Sequence, residues 1–448
     1  MKRYMAILIA GLLCLSAAGC SKGASDTETQ SSDKSAITES PEESSEKSTL
    51  TESSEESSEN SSISSVEESD TKETDSNKTE IVDKDGKHIG EIPLNSGITL
   101  TDSGIFYSTA IMPDTAADSL SVGMNEGEKT IYEYYLYDPE TNKSYSFGSI
   151  PDQDYEAGYC RTEINGKLYT LITDGNAMDA LPDRLLLAEF DLKEHSFALY
   201  TVSENGFPYT AMTEVNGKLL ILNHDQTDAL NDKLYLFDPD SKRTEHVMQF
   251  ELNGNKGDTI RAMNSDGKNI FVLRLHFEGE NDVTMFVDTY DLEYNKLSEK
   301  DISSMLKTVA EAELGAGDVT NEMKQMVSRF LVLDEKYVYY ENFSTTRFLG
   351  NIEDGKLFSE TDGLGDMFLA ASGSGKPFFY TIYGGGTNEN SIYELKNGSL
   401  EKTIFKADDD RYYVTAASRS PDGKTLIQVA YTDPENANNT LPAKIYYF

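Results

Sequence analysis

The sequence predicts an all-β fold: a ring of seven four-stranded antiparallel sheets, closed by its own two ends. Three observations carry this. From about residue 80 onward, short runs alternate apolar and aromatic residues with polar ones, punctuated by Gly, Asn and Asp, as half-buried strands between tight turns do. One unit recurs about every fifty residues, within the range of blade repeats. The series opens with a spare strand and closes one strand short.

The chain begins differently. Lys2 and Arg3 precede an apolar run from Tyr4 to Leu15, then Ser16, Ala17, Ala18, Gly19 and Cys20. A positive start, an apolar core of about 7–15 residues and a small-residue cleavage site make a secretory signal. The run is shorter than the roughly 20 apolar residues a spanning helix needs. Ala17-Ala18-Gly19-Cys20 resembles the lipobox of bacterial lipoproteins, departing at Ala17, where Leu is usual. The resemblance implies cleavage after residue 19, lipid on the Cys20 thiol and an extracytoplasmic chain held at the cell membrane. Acyl chains anchor at roughly 0.8 kcal/mol per buried methylene.

Residues 20–79 are mostly Ser, Thr and Glu, almost without aromatics. Such a segment buries too little surface to offset its ordering entropy, so a disordered acidic tether is expected. Residues 80–448 then form the folded domain. The full chain carries 39 Lys and Arg against 78 Asp and Glu, a formal net charge of −39. Nucleic-acid binding needs cations to neutralise phosphates, so that class is disfavoured. Cys14 leaves with the signal and Cys20 carries lipid, leaving Cys160 without an intrachain partner.

Within the domain, EIVDKDGKHIGEIPL (80–94) reads as a lone outer strand. The first unit covers ITLTDSGIFYS (98–108) and TIYEYYLYDPETNKSYSFGSI (130–150). The next three run 158–202, 209–251 and 259–300, with Asn165, Asn216 and Asp266 at equivalent turns. Two helical stretches are expected in an insertion at about 302–330, with Met305, Leu306 and Val309 on an apolar stripe. Units starting at 326, 367 and 412 complete the seven, and the last stops at Lys444–Phe448. Residues 80–94 placed beside that end give a closed β-propeller, in which stacked blades cover each other's faces and leave short edges. Ser420-Pro421-Asp422-Gly423-Lys424, followed by Thr425-Leu426-Ile427, resembles the turn of TolB-like propeller repeats and, more loosely, WD-repeat blades. That likeness implies the fold and no particular activity.

Strand order places first-to-second and third-to-fourth turns on one face, where they are short. Second-to-third loops and blade links fall on the other, where they are long and polar: 112–128, 173–183, 224–232, 383–391 and 432–442. That loop-rich face is the expected binding surface for a protein, peptide or glycan. Innermost strands carry Arg161, Arg261 and Arg329, with Glu163 and Glu214 nearby. These are candidates for an anionic ligand, or else they seal the channel by pairing across blades. His88, His195, His224, His246 and His276 show no ligand spacing. Asp83-Lys84-Asp85-Gly86 reads as a turn. His224-Asp225 with Asp228, and Asp174 with Asp179, are oxygen-rich enough for calcium. No nucleophile elbow or phosphate loop occurs. No metal, cofactor or catalytic residue is assigned. The alternative to a binding or scaffold module is an extracellular enzyme cleaving carbohydrate through paired carboxylates at the channel mouth.

Overall fold

The computed structural model describes residues 78–93, 98–111, 131–150, 153–156, 161–174, 183–206, 211–225, 231–253, 256–279, 282–314, 324, 327–342, 346–358, 367–372, 376–381, 390–408, 411–431 and 443–448. Contacts divide the chain into Met1–Ser61 and Ser62–Phe448; every described residue lies in the second. The expected signal, Cys20, Cys160 and nearly all of the expected tether lie outside the described residues. No described helix is long and apolar enough to cross a membrane.

Thirty strands and one helix make up the described elements. A hairpin comes first, β1 (Lys78–Val82) and β2 (His88–Pro93). The first meander is β3 (Ile98–Thr101), β4 (Gly104–Ile111), β5 (Ile131–Asp138) and β6 (Lys143–Ser149). The second is β8 (Thr162–Ile164), β9 (Lys167–Asp174), β10 (Asp183–Asp191) and β11 (Ser196–Gly206), with β7 (Gln153–Glu156) also paired to β9. The third is β12 (Ala211–Val215), β13 (Lys218–Asp225), β14 (Asn231–Asp238) and β15 (Arg243–Asn253). The fourth is β16 (Lys256–Ser265), β17 (Ile270–Gly279), β18 (Asp282–Tyr290) and β19 (Lys296–Asp301), followed by α1 (Ser303–Leu314). Then come β20 (Val327–Leu333), β21 (Tyr337–Asn342) and β22 (Arg347–Asn351). The sixth unit has β23 (Met367–Leu369), β25 (Phe379–Thr381), β26 (Asn390–Lys396) and β27 (Ser399–Phe405), interrupted by β24 (Ala371–Ser372). The chain ends with β28 (Tyr412–Arg419), β29 (Thr425–Tyr431) and β30 (Lys444–Tyr447).

Turn chemistry explains the hairpins. Asn165 and Gly166 have φ of 53° and 74°, and Asn216 and Gly217 have 52° and 75°. Two successive left-handed residues are what the twist of a two-residue hairpin requires. At Asp266 the carboxylate instead accepts the Lys268 and Asn269 amides (2.9 and 2.8 Å), an Asx-type turn.

Apolar faces join the units in chain order. Phe106 and Phe147 of the first meet Leu186 and Phe190 of the second. Leu185 and Leu187 then meet Ile221 and Phe237 of the third. Leu220 and Leu222 meet Ile260 and Val272 of the fourth. Leu273 and Leu275 meet Phe348 and α1, whose Met305, Leu306 and Val309 are buried as their spacing predicts. Tyr339 and Leu349 meet Phe379, Phe378 and Tyr380 meet Val414 and Ile427, and Leu426, Ile445 and Ile81 meet Leu100 and Ile105. The last contact returns to the first unit, so the arrangement is a closed all-β propeller.

The structure corrects the predicted details. The described strands form six hydrogen-bonded sheets, five of them with four or more strands, and not the expected seven four-stranded blades. Five sequence units have a sheet each. The third and fourth share one of eight strands, because the long β15 and β16 pair at Leu252–Gly257 and Asn253–Lys256. Gly257 permits this: its φ is 126°, and a Cβ there would lie 2.3 Å from the Glu251 carbonyl oxygen. Among the described residues the three-stranded sheet has no full fourth strand, with a bridge between Gly350 and Leu357. The insertion is smaller than predicted. Its second helical stretch falls mostly outside the described residues, and β20 already begins at Val327. In the second unit the innermost strand starts at Thr162, later than the expected 158.

The closing strand is also altered. β1 pairs with β30 through Glu80–Lys444, Ile81–Ile445 and Val82–Tyr446, but the pairing is parallel. β2 then folds back antiparallel on its outer side. The expected lone strand is thus a hairpin, turned where the Asp83 carboxylate accepts the Asp85 and Lys87 amides. Gly90 of β2 lets the first unit approach, since a Cβ there would overlap the Tyr137 hydroxyl at 1.9 Å.

Candidate functional site

Each unit presents an innermost strand to the middle of the ring, and polar side chains stitch these strands together. The Leu100 amide donates to Ser418 Oγ (3.1 Å), and Arg161 Nη1 donates to Thr99 Oγ1 (3.2 Å). The Ser265 amide donates to Thr213 Oγ1 (3.1 Å). Asn264 Oδ1 accepts the Val332 amide (2.9 Å), and its Nδ2 donates back to the Val332 carbonyl (3.2 Å). Backbone groups left over at sheet edges are satisfied in this way.

The five sequence candidates divide by height along the channel. Glu163 and Glu214 sit near the short-turn end. Glu214 Oε1 accepts the Gly217 amide of its own hairpin (2.5 Å). Glu163 is buried and accepts the Asp102 amide (3.0 Å). Asp102 Oδ1 in turn accepts the Asp422 amide (2.8 Å), so a chain of acidic residues spans the second, first and last units. Burial pushes the Glu163 carboxyl up to about 7, and the Asp102 and Asp422 charges add to the rise. Arg161 is buried and stacks on Phe106, 4.9 Å from the ring centre.

Arg261 and Arg329 lie farther from the short turns, on the adjacent strands β16 and β20. Arg329 donates Nη1 to the Leu369 carbonyl of the next sheet. Burial opposes its charge, but Glu341 and the nearby Tyr380 and Tyr339 raise its pKa overall. Arg261 is the extra residue of a bulge, between Ile260 opposite Arg274 and Ala262 opposite Leu273. Its Nη1 reaches only the Ile260 carbonyl (3.3 Å), and its Nε is buried without a partner. Burial pulls its pKa below the ordinary guanidinium value, and the Asp232 charge only partly offsets this.

A polar cleft of about 470 Å³ on the flank of the fourth unit escaped the sequence reading. Its centre is Arg274, 7% exposed. Arg274 Nε donates to Asp288 Oδ2 (2.6 Å), Nη1 to Asp258 Oδ1 (2.5 Å) and Nη2 to Glu299 Oε2 (2.6 Å). Lys296 joins Asp288 (3.0 Å) and Glu299 (2.7 Å), and His276 Nδ1 meets Asp258 (2.9 Å). Burial opposes the Arg274 charge, yet the bonds to Asp288 and Asp258 lift its pKa above the ordinary value. The visible signal is in β17, where Ile270 and Val272 give way to Arg274, His276 and Glu278 on one face. That identifies a polar face, while the partners come from β16, β18 and β19.

No group of three or more His, Cys, Asp or Glu residues suited to a metal occurs among the described residues. His224 Nδ1 instead meets Asp232 Oδ1 (2.5 Å), and Asp232 Oδ2 accepts the Ile260 amide (2.5 Å). Asp174 is taken by Arg184. Asp179 and Asp228 lie outside the described residues, as do most of the long loops.

No family model matches the chain, and no curated protein matches it. Among solved structures it is similar to the propeller domain of the trilobed protease from Pyrococcus furiosus, with 12% identity, 79% of this chain and 94% of that one covered, and a TM-score of 0.43. A chain of a mitotic checkpoint complex aligns at 11% identity over 78% of this chain and 88% of that one, TM-score 0.40. An acylaminoacyl peptidase from Pyrococcus horikoshii aligns at 13% identity over 79% of this chain, TM-score 0.42. This chain spans half of that peptidase's length. The propeller assignment rests on the sheets and their closed series of contacts, and these distant likenesses carry no argument about activity.

Proposed function

We propose that the chain is a membrane-anchored extracytoplasmic lipoprotein whose propeller is a binding or scaffold module for a protein, peptide or glycan, working through its loop-rich face. One observation carries the binding reading: the two ends of the ring are built differently. The short-turn end is tied across units by Glu163, Asp102 and Asp422. At the other end the second strands of four units stop at Ile111, Asp174, Asp225 and Tyr431, and the third strands resume at Ile131, Asp183, Asn231 and Lys444, so the sequence between them is longer than the short turns. Loops on a rigid scaffold are where recognition residues concentrate. The carboxylates at the centre of the flank cleft, Asp258, Asp288 and Glu299, are each engaged by Arg274. None of these three is free for the carbohydrate-cleaving alternative, which needs a carboxyl group available to move a proton.

The anchor is tested by expressing the full chain and its Cys20→Ala variant in a lipoprotein-processing bacterium. The full chain should sediment with membranes and incorporate labelled fatty acid, while Cys20→Ala should do neither. Equal labelling and sedimentation of the two would remove the anchor from the proposal. Photo-crosslinkers placed at Ser119 and Asn438, against a control at Asn397 on the short-turn face, test the working side. Crosslinks concentrated at Asn397 would reverse it.

A further inference from the structure

We propose that Arg261 anchors a small-anion site in the channel wall, for a ligand bearing a carboxylate or phosphate oxyanion. The inference deepens the binding reading above and rests on it. A guanidinium has five N–H donors in a rigid fork and is not tolerated in a protein interior without acceptors. Three other arginines meet that demand with carboxylates: Arg184 with Asp174, Arg274 with Asp288, Asp258 and Glu299, and Arg419 with Glu394. The partly buried Arg261 forms no such pair among the described residues. Its one hydrogen bond is the long one to the carbonyl of its own neighbour, and its Nε is buried and unpartnered.

The nearest source of negative charge is Asp232, whose oxygens are already committed to the Ile260 amide and to His224. The local backbone singles out the same residue. The ladder of β16 and β17 slips by one at Arg261, and a bulge of this kind re-aims one side chain out of the regular pleat. A bound oxyanion supplies what Arg261 lacks: acceptors in a plane that fits the fork. Arg329 on the adjacent innermost strand adds a second positive charge to the same wall.

The experiment uses the full chain in chloride-free buffer of low ionic strength, with inorganic phosphate and succinate as separate calorimetric probes. The two probes distinguish phosphate from carboxylate sources. Wild type should bind at least one at a single saturable site. Arg261→Gln should weaken that binding by about tenfold or more, the scale of losing a charge-assisted hydrogen-bonded pair. Arg243→Gln, at an exposed arginine on β15, should leave it unchanged. Phenylglyoxal labelling of the wild-type chain, read on the peptide containing Arg261, should slow when the bound probe is present, and this measurement does not require a folded variant. No saturable binding of either probe, unchanged labelling, or a folded Arg261→Gln that binds within about twofold of wild type overturns the site. Lipid attachment and loop-face crosslinking do not depend on this assay, so its failure leaves them intact.

Discussion

Glu163 is a carboxyl group placed where its charge is unwelcome. It is 8% exposed, it faces the Asp102 and Asp422 carboxylates, and its pKa rises to about 7 from an ordinary value of 4.5. The folded state therefore holds this proton more tightly than the unfolded chain does. The associated stability is full below about 4.5 and is lost as pH rises through about 7, amounting to roughly 2–3 kcal/mol. Glu163→Gln should be more stable than wild type at pH 8, with a flatter pH dependence between those limits in urea unfolding. An unchanged slope would mean that this carboxyl is not the linked group. Arg274 is the opposite case, a buried charge fully paired. Arg274→Met leaves Asp288, which has no exposure, with Lys296 as its remaining cation, and should cost roughly 3 kcal/mol. A loss under about 1 kcal/mol by denaturant titration would show that the cleft readily takes up water.

At the scale of elements, neighbouring units depend on a few reciprocal bonds as well as on apolar contact. Asn264 holds both the amide and the carbonyl of Val332. Asn264→Ala should lower stability by about 2 kcal/mol, since it leaves two backbone groups of β20 unsatisfied. Hydrogen exchange should quicken at Val332 and stay slow in β3–β6; uniform change would place the effect in the unfolded chain. Elements whose cause is local were readable from the chain. Asn165-Gly166 and Asn216-Gly217 turn because those residues adopt positive φ, and Met305, Leu306 and Val309 are buried because of their helical spacing. Elements whose cause is distant were not. Nothing near Leu252 or Lys256 announces that β15 will pair with β16, and the direction of β1 is set by β30, which lies at the far end of the chain. The candidate site divides in the same way. Arg261 and Arg329 were found by their place on inner strands. The Arg274 cleft was missed because its carboxylates come from three separate strands.

For the whole molecule, ring closure is the feature on which the two faces, the channel and the placement of Arg261 depend. Ile81 and Ile445 are both fully buried and pack with Leu100, Ile105 and Leu426, so the N-terminal hairpin serves as both an edge of the last sheet and part of its contact with the first. Closure therefore rests on the pairing of β1 with β30 and on these apolar contacts. Hydrogen exchange on the full chain and on a variant lacking residues 78–93 tests this. Removal should abolish the slow exchange of the Lys444–Tyr447 amides and speed exchange in Ile98–Thr101 and Thr425–Tyr431, leaving β12–β15 protected. Unchanged protection of 444–447 without the hairpin would contradict the closure, and the ring with it.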